Sequence, residues 1–436
     1  MLSPSSEDNS RPPDWSVAGS SQSQAVWSGI GYQAVVQPLS CDHQETVTTS
    51  SIQVQVPFHR ADLGEDEVKA VSEVIRSGWL TMGAKTFEFE REFAAYIGSK
   101  HAIAVSSCTA ALHLALEAVG LARGDEVLVP TTTFTATAEV VTYFGAKPVF
   151  VDIDPATLNI DPRDAERKVT SRTKVIIPVH LAGVPCEMTE IAELAAQHHL
   201  HVIEDAAHAL PSSYEGRRIG TLSELTAFSF YATKTLTTAE GGMITTDNEQ
   251  HAKRLQMMRL HGISRDAWKR YSAEGSWFYE VQEPGYKYNF TDLQAALGLV
   301  QLAKCDRMTV AREQIAARYS SAFRSFGCFE VPTVSSDRTS SWHLYILRLH
   351  LDQLRIDRNR FIRELAERGL GTSVHFIPLH LQPAYQREYG YKSGDLPVAE
   401  REYNRSLSLP IYSGMRDEEI EHVIWAVCDV ATKWSR

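Results

Sequence analysis

Thr226-Ala-Phe-Ser-Phe-Tyr-Ala-Thr-Lys-Thr-Leu-Thr-Thr-Ala-Glu-Gly-Gly-Met-Ile-Thr-Thr246 holds two short apolar runs, Thr226–Phe230 and Gly242–Thr246, with 11 residues between them. Runs of this length bounded by small and hydroxyl residues read as strands. The connection leaves no room for the packed crossover helix that a parallel pair needs, so one strand runs antiparallel to the rest. Upstream, Ala102–Val105, Glu126–Val129, Pro148–Asp152, Lys174–Val179 and His201–Glu204 are further apolar runs, each followed by enough chain for a helix. The alternation predicts an α/β fold, a three-layer α/β/α domain around a mostly parallel mixed sheet.

On the N-terminal side, residues 1–55 hold 12 serines and few charges. Such a composition cannot bury enough apolar surface to offset the entropy of ordering, and it predicts a disordered extension. Glu65–Arg76 places Val68, Val71, Val74 and Ile75 at helical spacing and stops at Ser77-Gly78, so the folded region opens on a helix. On the C-terminal side, a helix around Leu293–Leu302, a long helical pattern from about Asp306 and the run Trp342–Leu349 predict a smaller α+β domain. The expected division is a large domain over 56–304 with an N-terminal arm, and a small domain over 305–436.

With 436 residues, 43% of them hydrophobic, the chain can bury two sizeable cores. A formal charge of −11 argues against general affinity for nucleic acid. Six scattered cysteines without a CxxC pair suggest neither a metal site nor a disulfide framework, which fits a reducing, cytoplasmic setting. No apolar run reaches the roughly 18 residues a membrane span needs, and no secretory signal is readable.

In open α/β sheets ligands collect at the carboxyl ends of the strands. Lys234 stands there, just past the run 226–230, in a stretch of hydroxyl and small residues; taken alone it reads as a surface lysine. Asp205 follows the end of another apolar run, 29 positions upstream in His201-Val-Ile-Glu-Asp-Ala-Ala-His-Ala209; taken alone it reads as a helix cap. Together they form the pair that pyridoxal 5′-phosphate requires. The amine forms the Schiff base, and the carboxylate keeps the pyridine nitrogen protonated so that the ring accepts electrons. The phosphate end needs backbone donors and hydroxyls, and Val105-Ser-Ser-Cys-Thr-Ala-Ala-Leu112 offers a strand-to-helix junction with Cys108 and Thr109 at the helix start. Ser229 adds a hydroxyl, and Phe134 is the candidate for packing on the pyridine face.

These pieces resemble the DegT/DnrJ/StrS family of sugar aminotransferases, over about Pro57 to Ile424. Eight segments carry the resemblance in order: Ser77–Thr81, Ser106–Leu112, Pro178–Gly183, Glu204–Ala209, Ser229–Lys234, Gly285–Ala296, Val374–His380 and Ser408–Pro410. The resemblance implies the aspartate-aminotransferase type of fold, the fold type I of pyridoxal-phosphate-dependent transferases, and a transaminase that moves an amino group onto a keto-sugar. It assigns Lys234 to the Schiff base, Asp205 to the ring nitrogen, and His208 to the ring or its hydroxyl, where many members carry Gln. Asn289 is implied to reach the cofactor phosphate of a neighbouring subunit, which makes the unit a homodimer with shared active sites. Trp79, Thr81, His180 and His375 are the expected substrate contacts.

Three rival readings share these residues. The sister sugar dehydratases carry histidine in place of the lysine, and Lys234 speaks against them. A non-catalytic ligand-binding regulator would use the same fold, and so would another pyridoxal reaction such as decarboxylation or retro-aldol cleavage. The wording of Gly285–Asn289 and Val374–His380 resembles the branch acting on 4-keto sugars linked to uridine diphosphate. That resemblance favours a C4 amine, with L-glutamate as donor. Residues 251–270 hold Lys253, Arg254, Arg259, Arg265, Lys269 and Arg270 against one Asp266. This basic run, Arg259 and Arg265 above all, is expected to receive the diphosphate.

Overall fold

The computed structural model describes residues 54–263 and 279–436. The expected disordered extension therefore lies outside the described residues, apart from Val54 and Gln55. The described residues form one compact unit.

Seven strands build the central sheet: β1 His101–Val105, β2 Glu126–Pro130, β3 Lys147–Val151, β4 Thr173–Ile176, β5 His201–Asp205, β6 Leu225–Ser229 and β7 Gly242–Thr246. Their spatial order is β1-β7-β6-β5-β4-β2-β3. The pairs β6–β5, β5–β4, β4–β2 and β2–β3 are parallel, while β7 runs antiparallel to both β6 and β1. The short 231–241 connection has this effect because it contains no helix to carry the chain back across the sheet. Both faces are buried, one against Phe89, Phe93, Phe228 and Phe290, the other against Leu112, Leu116, Ile203 and Ile244. Helices such as Cys108–Ala118 supply the second cover, with every residue from Ala110 to Leu116 buried.

The C-terminal portion holds an antiparallel sheet of Phe329–Glu330, Tyr345–Leu349 and Ser406–Leu409, with helices Arg358–Glu367 and Asp417–Trp434 sharing its core. The expected boundary at 304/305 falls inside one continuous helix, Asp292–Phe323. Two helical patterns read separately in the sequence are this single element. Thr291 caps it with a capping box to Gln294, and no Gly or Pro interrupts the chain from Leu299 to Phe326. Cys305 of this helix packs in the large core, and Ile315, Tyr319 and Phe323 in the C-terminal one.

The directions of β1, β2, β5 and β6 agree, so the segments following them all emerge at the carboxyl end of the sheet. Asp205 closes β5 and pairs in register with Ala227 of β6, the strand that leads to Lys234.

Candidate active site

At that end lies a cavity of about 450 Å³, within the range of small-molecule and cofactor sites. Past β6 the chain coils tightly. Lys234 N donates to Tyr231 O at 2.9 Å and Thr238 N to Phe230 O at 2.9 Å, while the Thr235 hydroxyl donates to Leu210 O at 2.8 Å and the Thr237 hydroxyl to Phe230 O at 3.2 Å. The hydroxyls of this stretch thus serve its own backbone and the segment before Pro211, and Lys234 lines the cavity. Burial pushes the amine down to about 8, with Cys108 and Asp205 acting in the opposite direction.

Asp205 faces the same cavity and is held by two donors. The Thr137 hydroxyl reaches Oδ2 at 2.8 Å and the Ala207 amide reaches Oδ1 at 3.1 Å. Burial pushes the carboxyl up, and these two donors and the Lys234 amine pull it back.

Ser107 is the N-cap of helix Cys108–Ala118, accepting from Ala110 N at 3.0 Å. The first-turn amides of Cys108 and Thr109 precede any intrahelical partner, which makes this helix start an anion cradle. Gly242 of β7 packs directly behind it, where a Cβ would stand 2.5 Å from Ser107 O and 2.7 Å from Cys108 N. Cys108, Thr109 and Ser229 all line the cavity. Burial and Asp205 push the Cys108 thiol well up, so it stays protonated. Phe134 sits on the rim, 60% exposed and tilted against Phe376 at 6.1 Å.

His208 and His375 also line the cavity. His208 is buried and held well below the ordinary imidazole range by burial, by Lys234 and by His375. His375 hydrogen-bonds Ser408 Oγ at 2.8 Å through Nδ1, and burial and Lys234 push it down to about 4.

The other expected substrate contacts lie elsewhere. Arg259 is 2% exposed, ion-paired with Glu90, and donates to Ala104 O at 2.7 Å; it ties its helix to β1 and does not line the cavity. Lys253 pairs with Glu249, and Arg254 with Glu117 and Glu283. Arg265, Asp266, Lys269 and Arg270 lie outside the described residues. The described part of the basic run is thus spent on internal ion pairs. His180 is fully buried, joined to Glu204 Oε2 at 2.9 Å and accepting from Cys186 N at 3.1 Å, so it braces the segment behind Asp205 and has no face on the cavity. Trp79 and Thr81 lie beside the start of helix Asp292–Phe323, with Trp79 Nε1 donating to Met82 O at 3.3 Å and Asp292 N donating to Thr81 O at 3.2 Å. Asn289 bridges Val105, one residue before the phosphate-type turn, and its side chain donates to Phe290 O at 3.1 Å. None of these six residues, Trp79, Thr81, His180, Arg254, Arg259 and Asn289, is among those lining the cavity of their own chain.

The model of the DegT/DnrJ/EryC1/StrS aminotransferase family matches residues 61–428. The chain belongs to this family. It is 52% identical over 378 residues to the uncharacterized protein MJ1066 of Methanocaldococcus jannaschii, covering 87% of this chain and 98% of that one. It is 50% identical over 376 residues to the spore coat polysaccharide biosynthesis protein SpsC of Bacillus subtilis, covering 86% and 97%. The structure is similar to the pyridoxal-phosphate form of the putative sugar aminotransferase Spr1654 from Streptococcus pneumoniae, with a TM-score of 0.82, 35% identity, and coverage of 87% and 99%.

This member of the DegT/DnrJ/EryC1/StrS family is therefore a pyridoxal-phosphate-dependent sugar aminotransferase with the α/β fold of its relatives. The cavity fits the cofactor on its own chemistry: an amine, an oriented carboxylate, and a hydroxyl-lined helix start whose backing glycine leaves no space for a side chain. The cavity residues not singled out in the sequence include Phe58, His59, Thr137 and His343. Thr137 lies three residues past Phe134 in the same Thr-rich segment, and His343 sits in the run Trp342–Leu349, read only as part of the smaller domain. Phe58 and His59 fall where the composition turns from polar to folded, and no local pattern marks them.

Proposed function

We propose that this aminotransferase takes its nitrogen from L-glutamate and delivers it to C4 of a nucleotide-diphosphate keto-sugar, a uridine diphosphate sugar in the first instance. The resemblance of Gly285–Asn289 and Val374–His380 to the branch acting on 4-keto sugars supports this reading. So does the likeness to SpsC, whose name places that relative in spore coat polysaccharide biosynthesis; an amino sugar for a surface polysaccharide is the product class inferred here. The basic run 251–270 lends no support through its described members.

The single observation that carries the site assignment is the convergence of Lys234 and Asp205 on one cavity from adjacent parallel strands. Pyridoxal phosphate, when bound, supplies an electron sink for the carbon that gains and loses the amino group. Lys234 would hold the cofactor and would be the proton-carrying amine of the site, a role suited to a buried amine pushed down to about 8. Asp205 keeps the ring nitrogen charged. The Cys108 and Thr109 amides with the hydroxyls of Thr109 and Ser229 would hold the phosphate, and His208 and Phe134 would border the ring. His375 borders the sugar.

A homodimer with shared sites completes the account. Asn289 does not line its own cavity, and the family resemblance supports a neighbouring copy as the target of its side chain. Trp79 and Thr81 belong to the same expectation. The cytoplasm, where nucleotide sugars and glutamate meet, is the proposed location. No helix among the described residues is long and apolar enough to cross a membrane.

Mixing inactive Lys234→Ala chains with inactive Asn289→Ala chains tests the shared site. Hybrid dimers keep one intact site and recover part of the activity; no recovery under demonstrated subunit exchange overturns it.

A further inference from the structure

His208 is packed by two other rings. His343 stands 4.4 Å away between centroids at 44°, and Phe376 stacks at 6.1 Å and 25°. His208 and His343 are 7% and 6% exposed, and both line the cavity. The Ala182 backbone amide donates to His208 Nδ1 at 3.2 Å. A nitrogen that accepts an N–H cannot carry a proton of its own, so a neutral His208 holds its one hydrogen on Nε2.

The chain that delivers His343 is pinned to the loop of His208. The Ser341 hydroxyl donates to His208 O, Ser341 N donates to Ser212 Oγ at 3.0 Å, and the Ser212 hydroxyl donates to Gly183 O at 2.6 Å. Gly183, at φ +95°, closes this knot: a Cβ there would lie 2.0 Å from Ser341 Oγ. His343 Nδ1 is buried without a hydrogen-bond partner among the described residues. Its approach to His208 is a ring contact, not a hydrogen bond through that atom.

The titratable groups that face His208 are Lys234 and His375, with His343 packed on its ring; those that face His343 are His208, Lys234, Arg312 and His375. These are all bases or cations and disfavour a charge on either ring; the acid on the same cavity, Asp205, accepts from the Thr137 hydroxyl and the Ala207 amide.

We propose that His343 is a positioning residue that fixes His208 as a neutral imidazole with its hydrogen on Nε2, so that His208 meets the cofactor only as a hydrogen-bond donor. The last step rests on the reading of His208 as a cofactor contact; the fixed tautomer does not. Burial and the facing bases, which hold both rings well below the ordinary imidazole range, agree with it.

Nitrogen-15 NMR of histidine-labelled full-length protein, with and without pyridoxal phosphate, reads this directly, with His208 assigned by its loss in His208→Gln. In the wild type, Nδ1 is expected unprotonated and Nε2 protonated, without titration between roughly pH 5.5 and 8, the window in which an ordinary histidine charges. His343→Ala admits water, His208 then titrates in that window, and the acid limb of kcat moves toward neutral pH. His343→Phe restores both wild-type patterns. A wild-type His208 protonated on Nδ1, or titrating in the window, overturns the proposal, as does a His343→Ala protein whose His208 is unchanged. If the tautomer is as stated but His208→Gln leaves the absorbance of the bound cofactor unaltered, the cofactor contact fails and the positioning of His208 stands.

Discussion

The Thr137 hydroxyl donates to Asp205 Oδ2 at 2.8 Å, across 68 positions of sequence, while the Ala207 amide occupies Oδ1. The carboxylate is thus aimed by two donors from different segments before a cofactor arrives. Asp205→Asn keeps a hydrogen-bonding group but removes the charge. It is expected to lower kcat on the order of 10²-fold or more while cofactor affinity changes within about tenfold. Parallel measurement of kcat and of the cofactor dissociation constant checks this; unchanged turnover returns Asp205 to a structural role.

Lys234→Ala is expected to abolish steady-state transamination, a loss at least as large as the roughly 10²–10⁴-fold that a positioned proton carrier supplies. Circular dichroism of the variant stays that of the wild type. Turnover comparable to wild type contradicts the assignment.

Lys234 also has a linkage consequence in the cofactor-free protein. Its folded value of about 8 lies below the ordinary 10.5, so between these values the unfolded chain binds a proton that the folded one does not, and stability rises with pH. The stability is present above 10.5 and lost as pH falls through about 8. At pH 7 the amine costs the apo fold about 1–3 kcal/mol, and Lys234→Met raises the apo melting temperature there. Equal melting temperatures at pH 7 and a flat difference up to pH 10.5 contradict it.

At the acid end, His59 and His375 are held at about 4 against an ordinary 6.5, burial being the first cause for each. Their stabilising effect is complete above about 6.5 and lost as pH falls through about 4. Denaturant titrations of His375→Asn should show a shallower loss between these values, smaller than wild type by at most about 3 kcal/mol.

Arg259→Met breaks a buried ion pair with Glu90 and is expected to cost about 3–5 kcal/mol, with recovery in the double variant that adds Glu90→Gln. The KM for the sugar stays that of wild type in both. A raised sugar KM with normal stability restores Arg259 to the substrate site.

The same residue shows what the sequence conceals. Charge counting places Arg259 in a basic run but carries no sign of direction, and its partners Glu90 and Ala104 lie 169 and 155 positions away. The mixed sheet was legible because the 11 residues 231–241 are too few for a crossover, a local constraint. Lys234, Asp205, Thr109 and Ser229 were legible for a related reason: each stands at or just past the carboxyl end of a strand whose direction the alternation of runs already implies. Thr137 and His343 reach the cavity only through tertiary packing. The helix through 304/305 hid the passage between the two cores because good helix formers cover it without a break.

The central claim is tested by incubating the protein with pyridoxal phosphate, L-glutamate and a uridine diphosphate 4-keto sugar, then locating the nitrogen in the product by mass spectrometry and NMR. The account predicts stoichiometric 2-oxoglutarate and a C4 amino sugar, both absent with Lys234→Ala. An amine at C3, or transamination confined to free amino acids, contradicts the substrate reading, and no transamination across a panel of 3-keto and 4-keto nucleotide sugars contradicts the account as a whole.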